Sequence, residues 1–153
     1  MGAGASVDYS SVSDATLRDK LNEVKKLYNQ GSTDSALEKA YSIAFNYKNN
    51  AVLRDEKFRF FEFLTSILNT VSTGVARTNA LYSIMMLSLV FDHSTRLCSP
   101  ELKLVTALVN LLNSTTGDDR LNVSKCIGNI GKITDTSPLK YFIYFYSWKC
   151  LAL

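Results

Sequence analysis

The residues with the most specific chemistry stand at the two ends of the chain. Gly2, Ala3, Gly4, Ala5 and Ser6 follow Met1. Loss of the Met exposes the Gly2 amine, small uncharged residues thread the narrow groove of an acyltransferase, and Ser at the sixth position completes the pattern for N-myristoylation. At the far end, Cys150 begins Cys150-Leu151-Ala152-Leu153, a C-a-a-X form whose Leu ending favours geranylgeranyl transfer. Ala152 replaces the usual branched aliphatic residue and the upstream stretch is aromatic rather than polybasic, so a cysteine buried in a terminal helix competes with the lipid site. One myristoyl chain binds a bilayer with an association constant of only about 10⁴ M⁻¹, so a second signal is expected. No Lys or Arg precedes Arg18, while Asp8 and Asp14 are acidic, and anionic lipid gains nothing from such a stretch. The second signal falls to Cys150, the aromatic tail or a membrane-bound protein partner.

The interior offers less. His93 is the one histidine and lies five residues before Cys98 in Phe91-Asp92-His93-Ser94-Thr95-Arg96-Leu97-Cys98. A Cys–His nucleophile pair can be written there, but a solvated histidine or a helix-terminus partner in a helix-end loop is the simpler reading. No second pair of ligands has metal-site spacing, so neither zinc nor another cofactor is expected. Asp55-Glu56 and Asp118-Asp119 read as turn or helix-start carboxylates favoured by the helix dipole. Gly128, Gly131 and Lys132 form G-x-x-G-K, which lacks the glycine spacing and the following Ser or Thr of a phosphate loop and the strands of an RNA-binding module. Tight helix packing through Gly128 and Gly131 is expected instead. The chain therefore reads as a non-enzyme.

Composition supports a single globular unit. The 153 residues are 46% apolar and 20% charged, with 2 Pro and 7 Gly, enough for one sizeable core. The net charge of +3 is spread from Arg18 to Lys149, with no basic run longer than Lys25-Lys26. Phosphate neutralisation needs cations gathered on one face, so no nucleic-acid partner is expected. Three cysteines, Cys98, Cys126 and Cys150, without framework spacing point to reduced thiols inside the cell. No stretch reaches the roughly 20 apolar residues of a membrane span. With Gly2 acylated, the expected location is cytoplasmic, peripheral to a membrane on its cytosolic face.

The elements that position these residues read as helices. Leu17, Leu21, Val24, Leu27 and Tyr28 form one stripe, with Ser13 or Asp14 to cap its start and Gly31 to stop it. Ala36, Leu37, Ala40, Tyr41 and Ala44 form a small-residue stripe that lets two helices approach closely. A long helix is expected from residue 51 to Gly74, through Phe60, Phe61, Leu64, Ile67, Leu68 and Val71. Residues 75–92 are apolar nearly all round, as in the centre of a pack. Ser99 and Pro100 look like a cap and first helical position for the next helix, and residues 118–134 supply the last. Short turns make these antiparallel neighbours. Residues 1–13 are expected to be a flexible acylated segment, 14–136 the helical domain, and 137–153 an aromatic-rich helix or tail.

Residues 102–134 resemble an armadillo repeat. Leu104, Leu108, Val109, Leu111 and Leu112 match its first helix with the Leu-Leu ending, Asp118 and Asp119 its polar turn, and Cys126, Ile127, Gly128, Asn129, Ile130 and Gly131 its closing small-x-x-Asn pattern. The resemblance implies an all-α fold of stacked antiparallel helical hairpins in an armadillo- or HEAT-like right-handed superhelix. A compact helical bundle is the alternative. It also implies a protein-binding surface. In the family an Asn at the position of Asn129 bonds the main chain of an extended peptide. A Trp four residues earlier marks members that bind nuclear-targeting peptides; Lys125 occupies that position here, making Lys125 and Asn129 the candidate partner-binding residues. The expectation is a membrane-anchored, non-enzymatic helical-repeat adaptor or scaffold. The opening Met1–Ser6 also resembles the start of retroviral matrix proteins, so a myristoylated matrix-like structural protein is the alternative.

Overall fold

A computed structural model describes residues 7–71 and 73–133. Gly2, Cys150 and the whole of 137–153 lie outside the described residues. Every described regular element is helical, with no strand among them. The helices are α1 (Ala15–Asn29), α2 (Thr33–Asn46), α3 (Phe60–Thr70), α4 (Val75–Leu87), α5 (Phe91–Leu97), α6 (Leu104–Ser114) and α7 (Gly117–Ile133), with two 3₁₀ turns at Ala51–Arg54 and Glu56–Phe58.

Local chemistry sets the boundaries. Asp14 accepts the Leu17 N–H at 2.9 Å and so starts α1, satisfying one of the donors a helix leaves open. Gly31 turns the chain with a φ of 81°, a left-handed conformation that a Cβ would strain. The long helix expected from residue 51 is absent over its first turns. Asn50 accepts from the Val52 N–H and Asp55 from the Lys57 N–H; these side chains outcompete the helical ladder, and Arg59 breaks it with a φ of 53°. The expected start at Ser99-Pro100 is also displaced. Ser99 to Lys103 form a turn, Lys103 has a φ of 58°, and α6 begins at Leu104. Residues 75–92 divide after Leu87, where Leu89 and Val90 bond back to Met86 and Leu87 in tighter turns.

α1 packs on α2, α3 on α4 and α6 on α7. α4 is central, touching α2, α3 and α7, which explains its apolar character. Its contacts with α2 and α7 run in parallel. Asp34 at the start of α2 accepts the Ala76 N–H at the start of α4, and Arg77 beside it pairs with Asp119 at the start of α7; both pairs are 42 residues apart in sequence. Farther along, the Tyr41 and Tyr82 rings meet at 5.7 Å, Cys126 reaches the Leu81 carbonyl, and Asn129 reaches the end of α4. α2, α4 and α7 therefore form one parallel row. On the other side, α3 packs on α6, and Tyr28 of α1 meets Phe63 of α3 edge-on at 5.2 Å.

Two expectations need correction. Residues 7–12 are not a free leader: Val7, Tyr9 and Val12 are buried in the same core as Leu17, Leu21 and Phe58. Tyr9 stacks on Phe58 at 5.9 Å. Gly128, expected to admit a close helix neighbour, faces open space among the described residues: a Cβ there meets nothing within 4 Å.

Candidate functional site

The row α2–α4–α7 presents a face with aromatic and cationic groups. Tyr41 and Phe45 are one helical turn apart on α2, their rings 6.3 Å apart, and Tyr41 continues to Tyr82 on α4. Phe45 is 54% exposed. Tyr41 and Tyr82 are half-buried, and Lys125 on α7 is exposed. Lys125 adjoins Cys126, whose thiol is fixed at 3.4 Å from the Leu81 carbonyl beside Tyr82. The row thus brings Lys125 to the level of Tyr82.

Asn129 is half-buried and turned towards α4. Its amide donates to the Ser88 hydroxyl at 3.2 Å and to the Met85 carbonyl at 3.5 Å. The Met85 carbonyl, near the end of α4, also accepts from the Ser88 hydroxyl at 2.8 Å, so Ser88 and Asn129 together close that helix end. The tie between α4 and α7 that composition and spacing do not announce is Asp119. One carboxylate oxygen accepts from the Arg77 guanidinium, at 3.1 Å from Nε, and the other from the Thr78 hydroxyl at 3.2 Å. Arg77 and Asp119 side chains are only 11% and 20% exposed, so the pair is shielded and charge-assisted.

The N-terminal segment is held by cations. Lys25 donates to the Val7 carbonyl at 2.5 Å, Arg18 to the Val12 carbonyl at 3.4 Å and Lys57 to the Ser11 hydroxyl at 2.7 Å. Asp8 accepts from the Ser10 N–H and hydroxyl; those bonds, aided by Lys25 and Lys57, hold its carboxyl below the usual carboxylate range. Burial pushes the Tyr9 phenol up to about 12. The described chain is thus clamped from Val7 onwards, five residues after Gly2 in the sequence.

His93 lies in α5, not in a loop, and is buried rather than solvated. It does serve a helix end, bonding through Nε2 to the Lys48 carbonyl just past α2. Five residues along a helix place His93 and Cys98 about 140° apart around its axis, and the His93 ring is engaged with Lys48 and, edge-on at 5.5 Å, Phe61. Burial raises the Cys98 thiol above its ordinary value and pushes Cys126 up to about 12; both stay protonated at neutral pH and are poor nucleophiles. Among the described residues no cluster of three or more His, Cys, Asp or Glu could hold a metal ion, and no helix is long and apolar enough to cross a membrane. Comparisons with known protein families, curated proteins and solved structures return no match.

Proposed function

We propose that this chain is a non-enzymatic adaptor, held on the cytosolic face of a membrane by an acyl chain on Gly2, whose armadillo-like stacked hairpins offer the α2–α4–α7 row to a protein partner. The row carries this reading: three parallel helices tied by pairs that recur 42 residues apart. A unit that leans on the next in constant register builds a continuous face suited to binding a chain segment. Phe45, Tyr41 and Tyr82 supply aromatic area that is cheap to order. Lys125 adds a cation at the rim, so the fitting partner is a segment with apolar anchors followed by an acidic residue.

The clamp at Val7 gives the anchor a short reach. Five residues span at most about 17 Å, so an acyl chain on Gly2 keeps the domain against the bilayer instead of swinging on a long leader. A second lipid on Cys150, or the partner itself, supplies the hold that one acyl chain lacks.

Proximity labelling in a eukaryotic cell tests the two halves separately. Tyr82→Ala combined with Lys125→Ala should keep the membrane neighbours and lose one specific labelled protein. Gly2→Ala should lose the membrane neighbours. An unchanged labelled set in the Tyr82/Lys125 variant would remove the adaptor reading.

A further inference from the structure

His93 has three properties that rarely coincide. It is wholly buried, it joins two separate parts of the fold, and one ring nitrogen is unsatisfied. Nε2 meets the Lys48 carbonyl, an acceptor only, so Nε2 carries the proton and the neutral ring has a bare Nδ1. Nδ1 is buried without a hydrogen-bond partner among the described residues. The ring stands edge-on to Phe61, at an interplanar angle of 87°.

We infer that His93 is a proton-operated latch: neutral, it fastens α5 to the end of α2, and protonation at Nδ1 releases that corner. The added N–H would point into a buried site with no acceptor among the described residues, and burying an unpaired charge is costly. Two charged groups act on the ring. Arg54, in the first 3₁₀ turn, repels an imidazolium, whereas Asp92, on α5 itself, attracts one. These two also bond to each other at 3.7 Å, which blunts the help Asp92 can give. The Lys48 carbonyl, which accepts from Nε2, favours the charged ring but is outweighed by burial, and α3 contributes the Phe61 ring. Desolvation is the largest influence, and the His93 pKa is lowered from its ordinary 6.5.

The sign follows. An opened or unfolded histidine takes a proton as pH falls through 6.5, while the closed one resists, so the closed state is fully favoured above 6.5 and loses ground below it. One proton shifts the opening equilibrium by at most about tenfold per pH unit. The opening is local, because Arg96 at the other end of α5 stays bonded to Glu62 on α3. The corner that loosens lies three residues beyond Phe45, at the end of the aromatic face.

Since His93 is the one histidine, the Cε1–H resonance of its imidazole has no counterpart elsewhere in the full chain. That signal should titrate below pH 6.5. Amide hydrogen exchange, corrected for intrinsic rate, should show α5 protection falling several-fold between pH 7 and 5.5 while α1 protection holds. His93→Gln, which keeps a donor for Lys48 but cannot be protonated there, should flatten the α5 profile. Titration at or above 6.5, equal loss of protection in α1, or an unchanged profile in His93→Gln would each overturn the latch.

Discussion

Helix α4 meets α2 on one side and α7 on the other, in the same parallel register but with different chemistry. Towards α2 the contact is small and apolar. Ala36, Ala40 and Ala44 on α2 and Ala76 and Ala80 on α4 are all buried, the Tyr41 and Tyr82 rings meet beside them, and Asp34 accepts the Ala76 N–H at one end. Towards α7 the contact is polar along its length: Arg77 and Thr78 on Asp119, the Cys126 thiol on Leu81, Asn129 on Met85 and Ser88. Apolar contact is non-directional and stabilises by area. Hydrogen bonds and ion pairs have narrow geometry. The first joint supplies cohesion and the second fixes register.

Substitutions can break that contrast. The largest effect belongs to the apolar side. Leu37 is wholly buried on the helix enclosed by α1 and α4, and Leu37→Ala should cost about 3 kcal/mol in urea denaturation. Asp119→Ala should cost less, about 2 kcal/mol, because the pair is partly reached by solvent. Asp119→Asn should recover part of that loss, since its one amide oxygen can accept from Arg77 while its NH2 group donates to the Thr78 hydroxyl. A double-mutant cycle of Thr78→Ala with Asp119→Ala should show coupling, whereas Leu37→Ala and Asp119→Ala should add. If Leu37 and Asp119 variants couple strongly, the two joints are one unit and the contrast fails. Smaller and opposite in sign, Gly128→Ala should stabilise the chain by about 1 kcal/mol, since a Cβ there meets nothing within 4 Å and Ala is the better helix former. A fall in stability would mean that something beyond the described residues packs on that glycine.

The helical class and the start of α1 were legible because their signals are local. Asp14 caps its own helix, and Leu17, Leu21 and Val24 repeat at helical spacing. The break over residues 51–58 was hidden by apolar residues that continue the helical pattern, although Asn50 and Asp55 are the side chains that interrupt it. At the candidate site, Lys125 could be picked from its place in the armadillo-like pattern, but Asp119 looked like any helix-start carboxylate. Its partners lie 41 and 42 residues away, and no local pattern encodes that distance. The N-terminal clamp left a faint trace, with Val7, Tyr9 and Val12 the apolar residues in a polar stretch. Read as a leader they had no partner, because Phe58, on which Tyr9 stacks, arrives only with the fold. Gly128 misled for the converse reason: a small residue permits a close neighbour without supplying one.

The central claim concerns location, and Gly2 is the residue that tests it. Gly2→Ala should leave the urea midpoint unchanged, since Gly2 precedes the clamp at Val7. Wild type and Gly2→Ala should be expressed in the same eukaryotic cell and separated into membrane and soluble fractions. The account predicts wild type with the membranes and the variant in the soluble fraction. Identical distribution of the two proteins would contradict it.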